Sequence, residues 1–83
     1  LAPNFPNPFN AVTLIDYSLK EKGNVRLELF DLQGRNIRTV FAENQPAGRH
    51  RISIDGSELS TGLYFYRLEA GKFAETKKML LTK

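Results

Sequence analysis

Eighty-three residues allow one domain with a single small core, and a chain of this size buries only about 60% of its unfolded surface. The lack of cysteine excludes disulfide staples, thiolate zinc sites and a cysteine nucleophile. No apolar run approaches the roughly 20 residues of a membrane-spanning helix, so no stable membrane insertion is expected, and no signal peptide is present. The net charge of +3 comes from 12 basic and 9 acidic residues. Arg35 and Arg38, Arg49 and Arg51, and Lys77 and Lys78 form basic pairs, but acids are interspersed among them. No aromatic–basic nucleic-acid motif appears, so the expectation is a solvated basic face and no nucleic-acid partner. Because the chain starts at Leu1 without a methionine, it reads as a fragment of a longer protein.

The first stretch, "PNFPNPFN" (Pro3 to Asn10), can be neither helix nor central strand. Each proline lacks an N–H and biases the residue before it toward extended backbone. Residues 1–10 are therefore a kinked lead-in segment, with Phe5 and Phe9 expected to cover the core. Beyond Asn10 the hydrophobic period is two. "VTLIDYSL" (Val12 to Leu19) places Ile15, Tyr17 and Leu19 on one face, and "KEKGN" (Lys20 to Asn24) turns the chain. "VRLELFDL" (Val25 to Leu32) points Val25, Leu27 and Leu29 one way and Arg26 and Glu28 the other. "DLQGR" (Asp31 to Arg35) reads as a tight hairpin closed by a positive φ at Gly34. "NIRTVF" (Asn36 to Phe41) is an irregular return strand with room for a bulge.

A loop at "ENQPAG" (Glu43 to Gly48) precedes the strand "RHRISID" (Arg49 to Asp55), with Ile52 and Ile54 inward. "GSELSTG" (Gly56 to Gly62) reads as a short crossover with one helical turn capped by Ser57. "LYFYRLEAG" (Leu63 to Gly71) sets Tyr64, Tyr66 and Leu68 on one face and Leu63 and Phe65 on the other. Apolar residues on both faces place this strand centrally, buried on both sides. A final strand runs from Phe73 to about Thr82, with Phe73, Met79 and Leu81 expected to be buried. The expectation is an all-β antiparallel sandwich of about seven short strands.

Catalytic and cofactor chemistry finds little footing. His50, Ser53 and Asp55 supply the three residue types of a hydrolase triad, but odd spacing on a strand puts His50 and Ser53 on opposite faces. A lone histidine is a poor metal site, and no phosphate-binding loop, dinucleotide fingerprint or calcium loop occurs. Asp16, Glu28, Asp31, Glu69 and Glu75 each have a basic residue nearby and read as solvated faces. The expectation is no enzyme and no cofactor. A carbohydrate platform built on Tyr64 and Tyr66 is the sharper alternative to their packing in the core.

Five stretches occur in a familiar order: "NFPNPFN", "LFDLQGR", "AGRHRISID", "STGLYFYRLEAG" and the terminal "TKKMLLTK". Together, over essentially the whole chain, they resemble the type A C-terminal sorting domain of the type IX secretion system, found on proteins exported by Bacteroidota and related bacteria. The resemblance implies an immunoglobulin-like sandwich spanning residues 1–83, with a cargo protein N-terminal to Leu1. It implies passage to the periplasm by a separate signal peptide, then recognition by an outer-membrane translocon. A surface sortase often removes the domain, leaving the cargo secreted or at the cell surface. The positions matching the family motifs are Pro6, Asn7, Pro8, Asp31, Gly34, Arg35, Gly62, Tyr64 and Lys78. Asp31, Gly34 and Gly62 have full structural explanations as turn residues. Arg35 and Lys78 are the candidates for touching the export machinery. The competing reading is an immunoglobulin-like spacer or carbohydrate-binding module appended to a secreted enzyme.

Overall fold

A computed structural model describes all 83 residues and contains six strands and no helix. These are β1 (Val12–Leu19), β2 (Gly23–Phe30), β3 (Asn36–Gln45), β4 (Gly48–Asp55), β5 (Gly62–Ala70) and β6 (Phe73–Leu81). β1 and β4 form a two-stranded antiparallel sheet, and the other four form an antiparallel sheet in the order β3-β2-β5-β6. The two sheets enclose one core. Ile15 and Tyr17 of β1 and Ile54 of β4 meet Val25, Leu27, Leu29, Tyr66, Leu68, Met79 and Leu81 from the larger sheet. Each such side chain contributes about 1.5–3 kcal/mol when fully buried. Period-two alternation dictates this arrangement, because successive side chains point to opposite faces of a pleated strand. Ile52 and Tyr64 pack against the same core but stay half-buried.

The return strand is bulged. Pairing steps from Leu27↔Phe41 to Glu28↔Thr39, and from Leu29↔Arg38 to Phe30↔Asn36, which leaves Val40 and Ile37 as the extra residues. Each bulge bends the strand and re-aims its side chains, and Arg38 consequently donates from Nη1 to the carbonyl of Asp55 at 2.8 Å.

Residues 1–10 explain why six strands are found where about seven are expected. Phe5 and Leu14 exchange two backbone hydrogen bonds, of 2.9 and 2.8 Å, at the edge of β1. Four residues later Phe9 donates to Leu80 O at 3.0 Å and accepts from Thr82 N at 2.8 Å, now beside β6 of the other sheet. Pro6 and Pro8 stand between these contacts, and neither can donate to a ladder. The peptide bonds preceding both are cis. The would-be seventh strand is thus reduced to two isolated bridges that stitch the sheets together along one side.

Several expectations need correction. Phe9 is buried, but Phe5 is 43% exposed and its ring lies under the Arg51 guanidinium, 5.2 Å from the centroid. Phe73 is 50% exposed, because it starts β6 beyond the reach of the smaller sheet. The crossover after β4 holds no helical turn; its Ser57 N–H donates to Asp55 Oδ1 at 2.9 Å, so Asp55 rather than Ser57 shapes it. β5 is central, with β2 and β6 on either side, yet its outward Leu63 and Phe65 are only half-buried because no third layer covers that face.

Candidate functional site

Every motif position gathers at or near one pole of the sandwich, Lys78 included, because its row reaches Phe30 and Asn36 on either side of the β2–β3 turn. The β2–β3 turn, the start of β5, the end of β6 and the lead-in bridge at Phe9 all lie there. At the turn, Asp31 is the organising acceptor. Its Oδ1 receives the N–H groups of Gln33 at 3.0 Å and Arg35 at 2.9 Å, while its Oδ2 receives Arg35 Nε at 2.8 Å. Main-chain bonds from Gly34 N to Asp31 O and from Asp31 N to Arg35 O, both 3.0 Å, close the loop. Gly34 has φ of 83°, a conformation that side chains disfavour. The backbone N–H of Arg35 is the main cause holding the Asp31 carboxyl below the usual carboxylate range. Asp31 and Gly34 are therefore architectural. Arg35 is shared: its Nε is committed to Asp31, while its side chain is 75% exposed.

The lead-in motif is pinned from within. The Asn4 side chain is buried, and its Nδ2 donates to Thr13 Oγ1 at 3.0 Å and to Pro6 O at 3.3 Å. Thr13 Oγ1 donates to the same Pro6 carbonyl at 2.9 Å. The Asn4 N–H donates to the Tyr66 hydroxyl at 2.9 Å, and that hydroxyl donates in turn to Ala2 O at 3.1 Å. Asn7 then caps β6 from outside, its Oδ1 accepting Leu80 N at 3.0 Å. Pro8 leads directly into the Phe9 bridge. Gly62 opens β5 in nearly extended backbone at φ 159° rather than in a turn. Tyr64 turns its ring toward the core and its hydroxyl toward Ser60 O at 2.6 Å, so neither Tyr64 nor the fully buried Tyr66 offers a face to a sugar.

Lys78 stands apart from these structural roles. It lies on the outward face of β6, the strand at one edge of the larger sheet. It occupies one end of a transverse row, Asn36–Phe30–Phe65–Lys78, that crosses all four strands. Elsewhere on this face charges lie near one another: Arg26 with Glu28 at 3.9 Å and Arg67 with Glu69 at 3.8 Å. Lys78 has no ion pair and no hydrogen-bond partner. Beside it runs an open groove of about 500 Å³, lined among others by Pro3, Asn7, Thr76, Lys77 and Lys78. Arg35 and Lys78 are separated by the width of β2 and β5 and do not touch.

The remaining candidates resolve into structure. His50 stacks on Tyr17 with centroids 5.2 Å apart, and its Nε2 meets Pro46 O at 2.8 Å. Asp16 grips Arg51 with bonds of 2.7 and 3.0 Å. No three metal-ligating side chains cluster anywhere in the chain.

The model of the family described as "Secretion system C-terminal sorting domain" matches residues 4–82, from the buried Asn4 to Thr82, one residue past β6. The chain belongs to that family, the C-terminal sorting domains of type IX secretion. No curated protein and no solved structure was found to match it. As a sorting domain it carries an export signal for the cell surface or the medium, acts through a secretion system, and follows its cargo in the same precursor. The residues that sequence reasoning missed are Asn4, Thr13 and Tyr66 as the anchor of the lead-in. A proline-flanked asparagine signals a turn, but nothing in the local sequence marks it as buried.

Proposed function

We propose that this sorting domain directs an N-terminal cargo protein across the bacterial outer membrane, with Lys78 as a direct contact for the secretion translocon. Residues 1–83 act as one unit, and residues 1–10 form the seam between that unit and the cargo linker. The precursor reaches the periplasm by a signal peptide of its own, and a surface sortase separates the domain from the cargo after export.

The observation that carries this reading is the isolation of Lys78. Lys77, the other lysine on the strands of this sheet, lies 3.4 Å from Glu75, whereas Lys78 is exposed and without a partner, and such a cation contributes little to folding. Arg35 is a second contact, through the guanidinium nitrogens that Asp31 leaves free. The test is a reporter carrying a signal peptide and this domain, expressed in a bacterium with a type IX system. Delivery of the reporter to the surface or medium by the wild-type domain, with retention in the periplasm when the domain is deleted, is the expected result. Equal delivery with and without the domain overturns the reading.

A further inference from the structure

Resting on that reading, we infer that the translocon recognises this domain by adding a strand to the open edge of β6, along Ala74 to Lys78, with an acidic side chain of the added strand facing Lys78.

The edge is open over a defined length. Leu80 directs both its N–H and its C=O away from β5, to Asn7 Oδ1 and to Phe9 N. The β5–β6 register is continuous from Ala70↔Phe73 to Gly62↔Leu81. Alternation along a regular antiparallel ladder therefore turns the backbone groups of Lys78, Thr76 and Ala74 to the same outer side. No strand of the domain lies there. The lead-in covers the edge at Leu80 and Thr82 and stops, so the three residues offer an unpaired ladder with a fixed end. Unpaired edges are templates for another strand, and natural domains usually blunt them. Here the edge adjoins the groove between β6 and the lead-in residues Pro3 and Asn7, which has room for an extended segment.

Charge selects the occupant. The stretch carries Lys77 and Lys78 against Glu75, and Glu75 already lies 3.4 Å from Lys77. A second copy pairing symmetrically about Thr76 would set Ala74 opposite Lys78 and leave that ammonium without a counter-charge. A strand with a carboxylate at that register gives it one and adds main-chain bonds on both sides of Thr76.

Export of the reporter is measured for Thr76→Pro, which deletes one outward N–H while the inward ladder to β5 stays intact. Thr76→Ala is its control for the side chain, Lys78→Glu probes the charge without touching the backbone, and Lys22→Glu in the β1–β2 turn controls for net charge. Thermal melts of each purified domain run in parallel. Thr76→Pro and Lys78→Glu are expected to cut export about tenfold, the change that follows losing one bond worth 1.4 kcal/mol, while Thr76→Ala and Lys22→Glu export normally. If Thr76→Pro does not fold, Lys78→Glu decides. Normal export by a folded Thr76→Pro, or by Lys78→Glu, overturns the inference while the wild-type result still stands for sorting. Sedimentation showing a dimer of the wild-type domain that Thr76→Pro dissolves also overturns it, because the edge then belongs to a second copy. Failure of the wild-type domain to export the reporter is the separate failure of the sorting reading.

Discussion

The Tyr66 hydroxyl, buried in the middle of β5, accepts a hydrogen bond from the backbone N–H of Asn4, 62 residues earlier in the chain. The same oxygen donates to Ala2 O, so one phenol fixes two residues of the lead-in. Burial pushes this hydroxyl above the usual phenol range.

Tyr66→Phe keeps the ring and deletes both bonds. Stranding the buried Asn4 N–H is expected to cost about 1–3 kcal/mol. Denaturant unfolding should show that loss, and amide exchange should accelerate at Phe5 and Leu14, whose bridge depends on the same segment. Unchanged exchange at Leu14 would show that the β1 bridge and the Phe9 bridge hold the segment without the phenol.

Gly56→Ala probes a tight approach. An added Cβ would lie 3.1 Å from Phe9 Cε2 and 3.3 Å from Leu81 Cδ2, both in the packed core. Both neighbours are almost fully buried, so a loss of about 1–3 kcal/mol is expected. A melting temperature equal to the wild type would show that the Phe9 ring gives way cheaply.

Acid should weaken the domain through three aspartates. Asp16, Asp31 and Asp55 are all held below the usual carboxylate range, by a side-chain bond from Arg51 and by backbone N–H groups of Arg35 and Ser57 respectively. Carboxyls lowered on folding contribute stability above the unfolded value of about 4, and lose it as pH falls through the lower folded values. Melting temperature should therefore be level from neutral pH to about 4 and decline below that. Asp31→Asn should lower the plateau and make the acid decline shallower. An unaltered acid slope would remove Asp31 from the account.

Lys78→Ala separates recognition from folding. With no partner to lose, the variant should stay within about 0.5 kcal/mol of wild-type stability. Surface delivery of the reporter should fall while periplasmic precursor accumulates. Normal delivery by the folded variant rejects Lys78 as a contact, and a collapse in stability assigns it a structural role. Truncating β6 would answer neither question, since it removes the buried Met79 and Leu81, each worth about 1.5–3 kcal/mol.

Sequence alone determined the strands and their inward faces, because a period of two is a local property that pleating converts directly into burial. Leu27, Leu29, Ile54, Tyr66 and Leu68 could be assigned to the core without knowing which strands pair. It also determined the Asp31–Arg35 turn, whose contacts span four residues. Strand order and coverage were decided only by the tertiary structure. That β5 lies between β2 and β6 with its Phe65 face uncovered depends on how many layers the chain can build, and 83 residues build two. The fates of Phe5 and Phe9 diverge for the same reason: identical rings four residues apart meet different sheets, one at an outer edge and one over the core. Lys77 and Lys78 are adjacent and alike in sequence, yet only Lys78 lacks a nearby carboxylate. Lys77 meets Glu75 two places earlier on the same face of β6, whereas Lys78 faces the other way. Only the strand register reveals that the cross-strand neighbour of Lys78 there is the apolar Phe65.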